Sequence, residues 1–324
     1  MGGKSAFLII RCLLIIFEEI MSVFWQKKKK FGAKILAHEK SEYNEIYVTQ
    51  NGAEREMWFR KKKDFFLQSR ININELDTLI LIYSKMMVAA LLLQPVPRRI
   101  LMLGLGGCAV SNFLSSLYPR AVIDVVEVDR KVIDIAKNFF YLNETSSYRV
   151  HHKDGRRFVQ DASSREPYDL IYLDAFKSGS IPFHLKTIQF YQDLVRILSP
   201  EGVVGSNLYG KSNTLKHSDW KTFSVQFKRV YCFEDYDNVA TVLFATDRKE
   251  TLTMSDFAQA AKKFHSPLPF SLTEIAATYR AGKLENDNGD VFEDDFPREQ
   301  LGRTIEKNNL DDTQYHPYPI KNRS

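Results

Sequence analysis

The sequence predicts an α/β protein: a doubly wound, mostly parallel seven-stranded sheet with a small N-terminal β-hairpin domain in front of it. Three observations predict this. After Pro97, short apolar runs of strand length alternate with runs at helical spacing, and such alternation builds a parallel sheet covered by helices. The first of those strands runs into the glycine-rich turn Gly104-Leu105-Gly106-Gly107, directly before an amphipathic run that begins near Ala109. Ahead of Pro95, two alternating segments flank Asn51-Gly52, a dipeptide suited to the positive φ values of tight hairpins.

In chain order, residues 1–40 read as an apolar and basic leader. Residues 5–25 are apolar but interrupted by Arg11, Glu18 and Glu19, and Lys27 to Lys30 follow. A spanning helix wants about 20 predominantly apolar residues, and central charges cost about 2.5–3.5 kcal/mol each on insertion. A membrane anchor, an amphipathic helix and a dispensable extension with Met21 as the true start are the three readings; the last is the expectation, with membrane association through residues 5–25 the minor alternative. Residues 41–75 form the hairpin domain, with the basic cluster Arg60 to Lys63 as a solvated turn. Residues 76–93 are apolar without alternation and end at Pro95 and Pro97, as a buried helix stopped by proline does.

Seven strands follow within residues 76–282: RILMLG, VIDVVE, YRVHHKD, YDLIYLDAF, GVVGSNL, RVYCFED and VATVLFATD. Val132, Ile133, Ala136, Phe139 and Phe140 share one helix face, as do Ile188, Tyr191, Val195 and Leu198. The last two strands, separated only around Asp237 and Asn238, form an antiparallel hairpin. Residues 283–324 are an acidic polar tail, partly disordered at its end.

The whole chain of 324 residues carries a net charge of +5 and is 44% hydrophobic, which excludes disorder as the main state. That charge is too small and too dispersed to call for nucleic acid. Cys12, Cys108 and Cys232 form no close pair, which excludes a disulfide framework or thiolate zinc site and fits a reducing, cytoplasmic setting.

The chemistry concentrates where strands end. Glycines at Gly104 and Gly106 let backbone N–H groups approach a ligand, although a purely structural turn would also use them. The next strand ends in Glu127, placed to accept both hydroxyls of a ribose; the plainer alternative is an exposed Glu127 beside an N-cap at Asp129. Asp154-Gly155 and Asp174 end the third and fourth strands on the same edge. Such a set of carboxylates repels a phosphate-rich dinucleotide and tolerates a sulfonium nucleoside. His151 and His152 are adjacent, point to opposite faces of a strand and cannot share a metal; no metal is expected. His184 is either a contact in the acceptor pocket or a loop residue, and Cys108 is small packing after the turn.

The run from Ser41 to about Asp247 resembles the spermidine synthase family, the polyamine aminopropyltransferases on the class I methyltransferase-type fold. The resemblance rests on the hairpins ending in Gln68, the helix with Tyr83, GLGGC, EVDRKVIDIAKNFF, DGRRFV, YDLIYLDAF and LSPEGVVGSNL. It implies S-adenosylmethionine or its decarboxylated form as co-substrate. Gly104 and Gly106 would form the nucleoside loop, Glu127 would hold the ribose, and Asp154 with Gly155 would meet the adenine. Asp174 and Gln68 would flank the transferable group, and Asp174 or Tyr83 would serve as the catalytic base. A small-molecule acceptor, an amine, is implied, and assembly as a homodimer is compatible with it.

Departures from the family pattern are as specific. Active members carry an acid in the glycine turn where Gly107 stands, an aspartate where Lys177 stands, and a His-Glu pair where Ser84 and Lys85 follow Tyr83. The resemblance is closest to a divergent branch that shares the Ile181 to Leu185 run and the Asp294-Asp295-Phe296 segment. Three readings follow: a spermidine synthase-like transferase, a methyltransferase for which Gly107 leaves room for a methionine carboxylate, and a non-catalytic nucleoside-binding protein. Lys177 and Lys85 predict weak use of a doubly charged diamine.

Overall fold

The computed structural model describes residues 32–162, 166–176, 181–209, 213–235, 240–281 and 288–308. The leader at residues 5–25, Lys177, the turn at Asp237 and Asn238, and the end of the tail lie outside the described residues.

Four antiparallel strands in sequential order make the N-terminal sheet: β1 Lys34–Lys40, β2 Glu45–Asn51, β3 Glu54–Lys61 and β4 Asp64–Asn72. Gly52 turns β2 into β3 at a φ of +56°, the left-handed conformation that glycine tolerates. Alternation decides the faces: Ile46, Val48, Met57, Phe59 and Ile71 enter the core, while Tyr47 on the other face stacks on His38 with ring centroids 4.1 Å apart. The sheet starts ahead of residue 41, because β1 pairs along β2 from Lys34↔Gln50 to Lys40↔Glu45.

The apolar segment that follows is helical only from Ile82. Helix α1, Ile82–Met87, continues as a 3₁₀ turn over Val88–Leu92. Leu81 stands extended at its start with no side-chain cap, and Leu79 is buried ahead of it. Burial of Leu79 in extended chain outweighs the helical preference of the run, a tertiary override of propensity.

The central sheet comprises β5 Arg99–Leu103, β6 Val122–Glu127, β7 Tyr148–His152, β8 Tyr168–Leu173, β9 Leu198–Asn207, β10 Arg229–Glu234, β11 Thr241–Thr246 and β12 Tyr279–Arg280, in the order β12-β10-β11-β9-β8-β5-β6-β7. Strands β9, β8, β5, β6 and β7 are mutually parallel; β11 and β10 add as an antiparallel hairpin. All seven expected strands are present. The eighth, β12, has two residues and pairs with Cys232 and Phe233 at the edge, too short to leave a periodic signal. One core packs α1, α2 (Ala109–Leu117) and α3 (Arg130–Phe139), together with the N-terminal sheet, on one face. The other face carries α4 (Gly155–Asp161), α5 (Ile188–Ile197) and α6 (Lys216–Gln226). Further along lie α7 (Met254–Lys263), α8 (Leu272–Ala277) and α9 (Leu301–Asn308).

The first part of the acidic tail packs against the fold. Phe292 is completely buried, and its ring lies 5.2 Å from that of Phe183. Its carbonyl accepts from Ile188 N at 2.9 Å, and its own N–H donates to Thr222 at 2.9 Å. Asp294 takes both guanidinium nitrogens of Arg156 at 2.7 and 2.6 Å, and the Thr187 hydroxyl at 2.7 Å. A few apolar residues anchor the segment, which composition averaged over an acidic stretch conceals.

Candidate active site

Chain order runs outward from β5 in both directions, to β6 and β7 on one side and to β8 and β9 on the other. A reversal of this kind opens a crevice above the carboxyl ends of the strands. Gln68, Tyr83, Gly104, Gly106, Glu127, Asp154, Gly155 and Asp174 all line one cavity there.

Gly104 has a φ of +103°, and a Cβ on it would stand 2.3 Å from the Asp174 backbone oxygen. The ends of β5 and β8 therefore touch, tied by Asp174 N donating to Leu103 O at 2.9 Å. Gly106, at φ +50°, has no atom within 4 Å of where a Cβ would project. The amides of Gly104, Leu105 and Cys108 are spent on Val126 O, Glu127 Oε2 and Leu105 O, so what the turn offers a ligand is close approach to the backbone at Gly106. Gly107 is different: a Cβ there would lie 2.7 Å from Ser69 Oγ and 2.8 Å from Phe140 Cδ1. The room that a side chain at 107 would need is already filled from β4, so the idea that Gly107 leaves room for a methionine carboxylate is not supported. Cys108 follows in the left-handed region and is buried. Its thiol donates to Phe140 O at 3.2 Å, and burial pushes its pKa up, which keeps it a packing residue.

Glu127 turns into the cavity, while Asp129 is the N-cap of α3 and accepts from Lys131 N at 3.0 Å. Glu127 Oε2 accepts from Leu105 N at 3.1 Å and Oε1 from Asp129 N at 2.9 Å. Each oxygen keeps a lone pair for a ligand hydroxyl. Burial raises its pKa to about 7, against the pull of those backbone donors. Ser41 and Asn44 both donate to Asp129 Oδ2, which carries Tyr43 and Asn44 from the N-terminal sheet to the cavity wall.

Asp154 is the N-cap of α4, accepting from Arg157 N at 3.1 Å. The DGRRFV segment is thus a helix started by an aspartate cap. The other Asp154 oxygen meets His184 Nε2 at 2.8 Å, and this hydrogen bond lowers its pKa. His184 lines the cavity with it.

Asp174 is the chemically distinctive member. Burial lifts its pKa to about 7, and a hydrogen bond from Asn207 Nδ2 at 2.8 Å opposes the lift. The same Asn207 side chain accepts from Tyr209 N at 2.9 Å. Tyr83 Oη donates to Gln68 O at 3.1 Å, and burial together with the Asp174 charge raises its pKa well above that of a free phenol. A phenol so held keeps its proton and is a poor base. Lys85 is not among the cavity-lining residues, so the charge expected from it acts elsewhere.

Asn207, Tyr209, Tyr43 and Ser69 also line the cavity and escaped sequence reasoning. Asn207 alone left a trace, as the polar residue ending the fifth strand on the edge where the acids end theirs. His151 meets Asp124 Oδ1 at 2.7 Å and His152 meets Val128 O at 3.1 Å, ordinary strand contacts. Among the described residues no cluster of three or more His, Cys, Asp or Glu is placed to hold a metal. No helix among them is long and apolar enough to cross a membrane.

The family model of the spermine/spermidine synthase domain matches residues 80–252. A polyamine aminopropyltransferase of Vibrio vulnificus (strain CMCP6) is 35% identical over 206 residues, covering 63% of this chain and 69% of that relative. Among solved structures, a probable spermidine synthase from Corynebacterium glutamicum superposes with a TM-score of 0.60 at 16% identity, covering 82% of this chain and 98% of the other. Human methyltransferase-like protein 13, in complex with SAH, gives a TM-score of 0.53 at 22% identity, covering 68% of this chain and 100% of the other. The two structural likenesses establish the fold.

Proposed function

Because this chain belongs to the spermine/spermidine synthase domain family, we propose that it transfers an aminopropyl group from decarboxylated S-adenosylmethionine to an amine. The observation that carries the reading is Asp174: a carboxylate of pKa about 7, aimed by Asn207, in the same cavity as Glu127 and the glycine turn. A general base is most effective when its pKa lies near the working pH.

Glu127 would hold the ribose hydroxyls, and Gly106 the adenosyl backbone. Asp154, kept ionised and oriented by His184, would meet the adenine edge. Gln68, whose carbonyl is fixed by Tyr83, would flank the propyl chain. An acceptor amine nitrogen forms the new C–N bond at the carbon beside the sulfonium; the C–S bond breaks, its electron pair returns to sulfur, and methylthioadenosine leaves. Asp174 takes the proton lost by the amine. Alignment supplies most of the acceleration in such a displacement, and half-buried carboxylates offset the sulfonium charge before transfer.

Product identity is the test. Methylthioadenosine released from decarboxylated S-adenosylmethionine is the expected result. S-adenosylhomocysteine formed from S-adenosylmethionine would establish methyl transfer in its place, and neither product would leave a binding protein.

A further inference from the structure

Resting on the assignment of Asp154 to the adenine edge, we propose that Asp294 is a positioning residue of the nucleoside site. Through Arg156 and Thr187 it fixes the turn at residues 183–187 that holds His184 on Asp154, and so sets recognition of the adenine amino group. The Ile181 to Leu185 run and the Asp294-Asp295-Phe296 segment lie far apart in the sequence and meet in the fold.

The turn spends its other side chains on being held. Phe183 packs against the tail, its ring 5.2 Å from that of Phe292 and 6.0 Å from that of Phe296. Leu185 is buried against the residue that follows Asp154: its Cδ2 lies 3.5 Å from where a Cβ on Gly155 would project. Lys186, also buried, pairs with Asp219 at 2.8 Å. Thr187 caps α5 by accepting from Phe190 N at 3.3 Å, and its hydroxyl donates to Asp294 Oδ1 at 2.7 Å. His184 is the exposed member of the turn, and it reaches Asp154 at 2.8 Å.

Asp294 closes this arrangement from outside the cavity, which it does not line. Its two oxygens take the Arg156 fork at 2.7 and 2.6 Å, and a guanidinium paired in this way gains fixed orientation as well as energy. Arg156 stands in the first turn of α4 and also reaches His184 O at 3.4 Å. One carboxylate thus ties the helix that Asp154 caps to the turn that carries His184. Gln189 Oε1 accepts from Asp294 N at 3.0 Å and anchors the backbone of that carboxylate.

The consequence falls on Asp154. One of its oxygens accepts from Arg157 N at 3.1 Å and the other from His184 Nε2. With both oxygens held, the carboxylate keeps one orientation, and its remaining lone pairs are preorganised for an exocyclic N–H. Once His184 is released the carboxylate can swing, and a charge-assisted hydrogen bond to the amino group weakens as its angle departs from linear.

Calorimetry on the full chain compares methylthioadenosine with its 6-deamino analogue, in which hydrogen replaces the amino group. The unmodified protein should favour methylthioadenosine about tenfold or more. Asp294→Asn keeps an acceptor for Thr187 but loses the charge that faces Arg156. It should cut the preference to about threefold or less by weakening methylthioadenosine alone. His184→Ala, at an exposed position, should do the same, and combining the two should add nothing further, as expected of residues that act through one contact. A preference that survives Asp294→Asn, equal weakening of both nucleosides, or no preference in the unmodified protein overturns the proposal. Release of methylthioadenosine from decarboxylated S-adenosylmethionine, measured across a panel of amines, reports separately on the reaction. The expected preferences without release keep the place of Asp294 and sink aminopropyl transfer, while release by a protein whose preference ignores Asp294 does the reverse.

Discussion

Glu127 and Asp174 share one physical situation: each is a carboxylate whose burial beside the cavity lifts its pKa to about 7. In the unfolded chain both ionise near pH 4. Between pH 4 and 7 the unfolded state has lost protons that the folded state keeps, so the ligand-free protein should lose stability as pH rises through that window and level off above it. Thermal melts from pH 4 to 8 check this, and Asp174→Asn should flatten the profile. For transfer the sign is opposite, because a base must be ionised: kcat/KM should climb between pH 6 and 8, and Asp174→Asn should lower it by about a hundredfold or more. Glu127→Ala should weaken adenosyl-ligand binding about tenfold or more with the fold intact, since it removes a carboxylate from two hydroxyls in a partly dry crevice; calorimetry that finds unchanged affinity would remove Glu127 from the site. The carboxylates at strand ends were legible because strand periodicity located those ends. Asn207 was legible only as a polar strand end and Tyr209 not at all, since nothing local to Asn-Leu-Tyr announces that one amide spans a carboxylate and a left-handed backbone.

Between elements, two contacts decide how the site is built. Strand β4 presses Ser69 onto the glycine turn, so Gly107→Asp would drive a Cβ into Ser69 and Phe140 and should destabilise by about 1–3 kcal/mol. Pairing it with Ser69→Gly should recover part of that in a chemical denaturation series. The second contact is the strap that follows residue 288. Asp294 joins Arg156, in the first turn of α4, to Thr187, at the N-cap of α5, and Arg156 also reaches His184 O at 3.4 Å. Asp294→Ala should therefore cost about 1–2 kcal/mol, discounted for its partial exposure. It should also speed hydrogen exchange in residues 181–187 and so loosen the His184 contact to Asp154.

For the whole molecule the segment after residue 288 carries stability. Phe292→Ala should cost about 3–5 kcal/mol, as buried aromatic truncations do, because Phe292 is fully buried and packs near the Lys186 ammonium at 5.1 Å. A denaturant midpoint unchanged by the substitution would show that the segment is not part of the cooperative core. By itself the sequence determined the strand-and-helix rhythm, the glycine turn and the acids that end β6, β7 and β8, because each is written in local periodicity and in residue types that one backbone conformation demands. Tertiary structure alone decided that the acidic tail folds back as a strap, that α1 starts late, and that Gly107 is closed off by Ser69. Those outcomes depend on contacts such as Thr187 with Asp294 and Ser41 with Asp129, between residues about 90 to 110 positions apart. Their free energy comes from burial and pairing across the fold, which a local window along the chain does not contain.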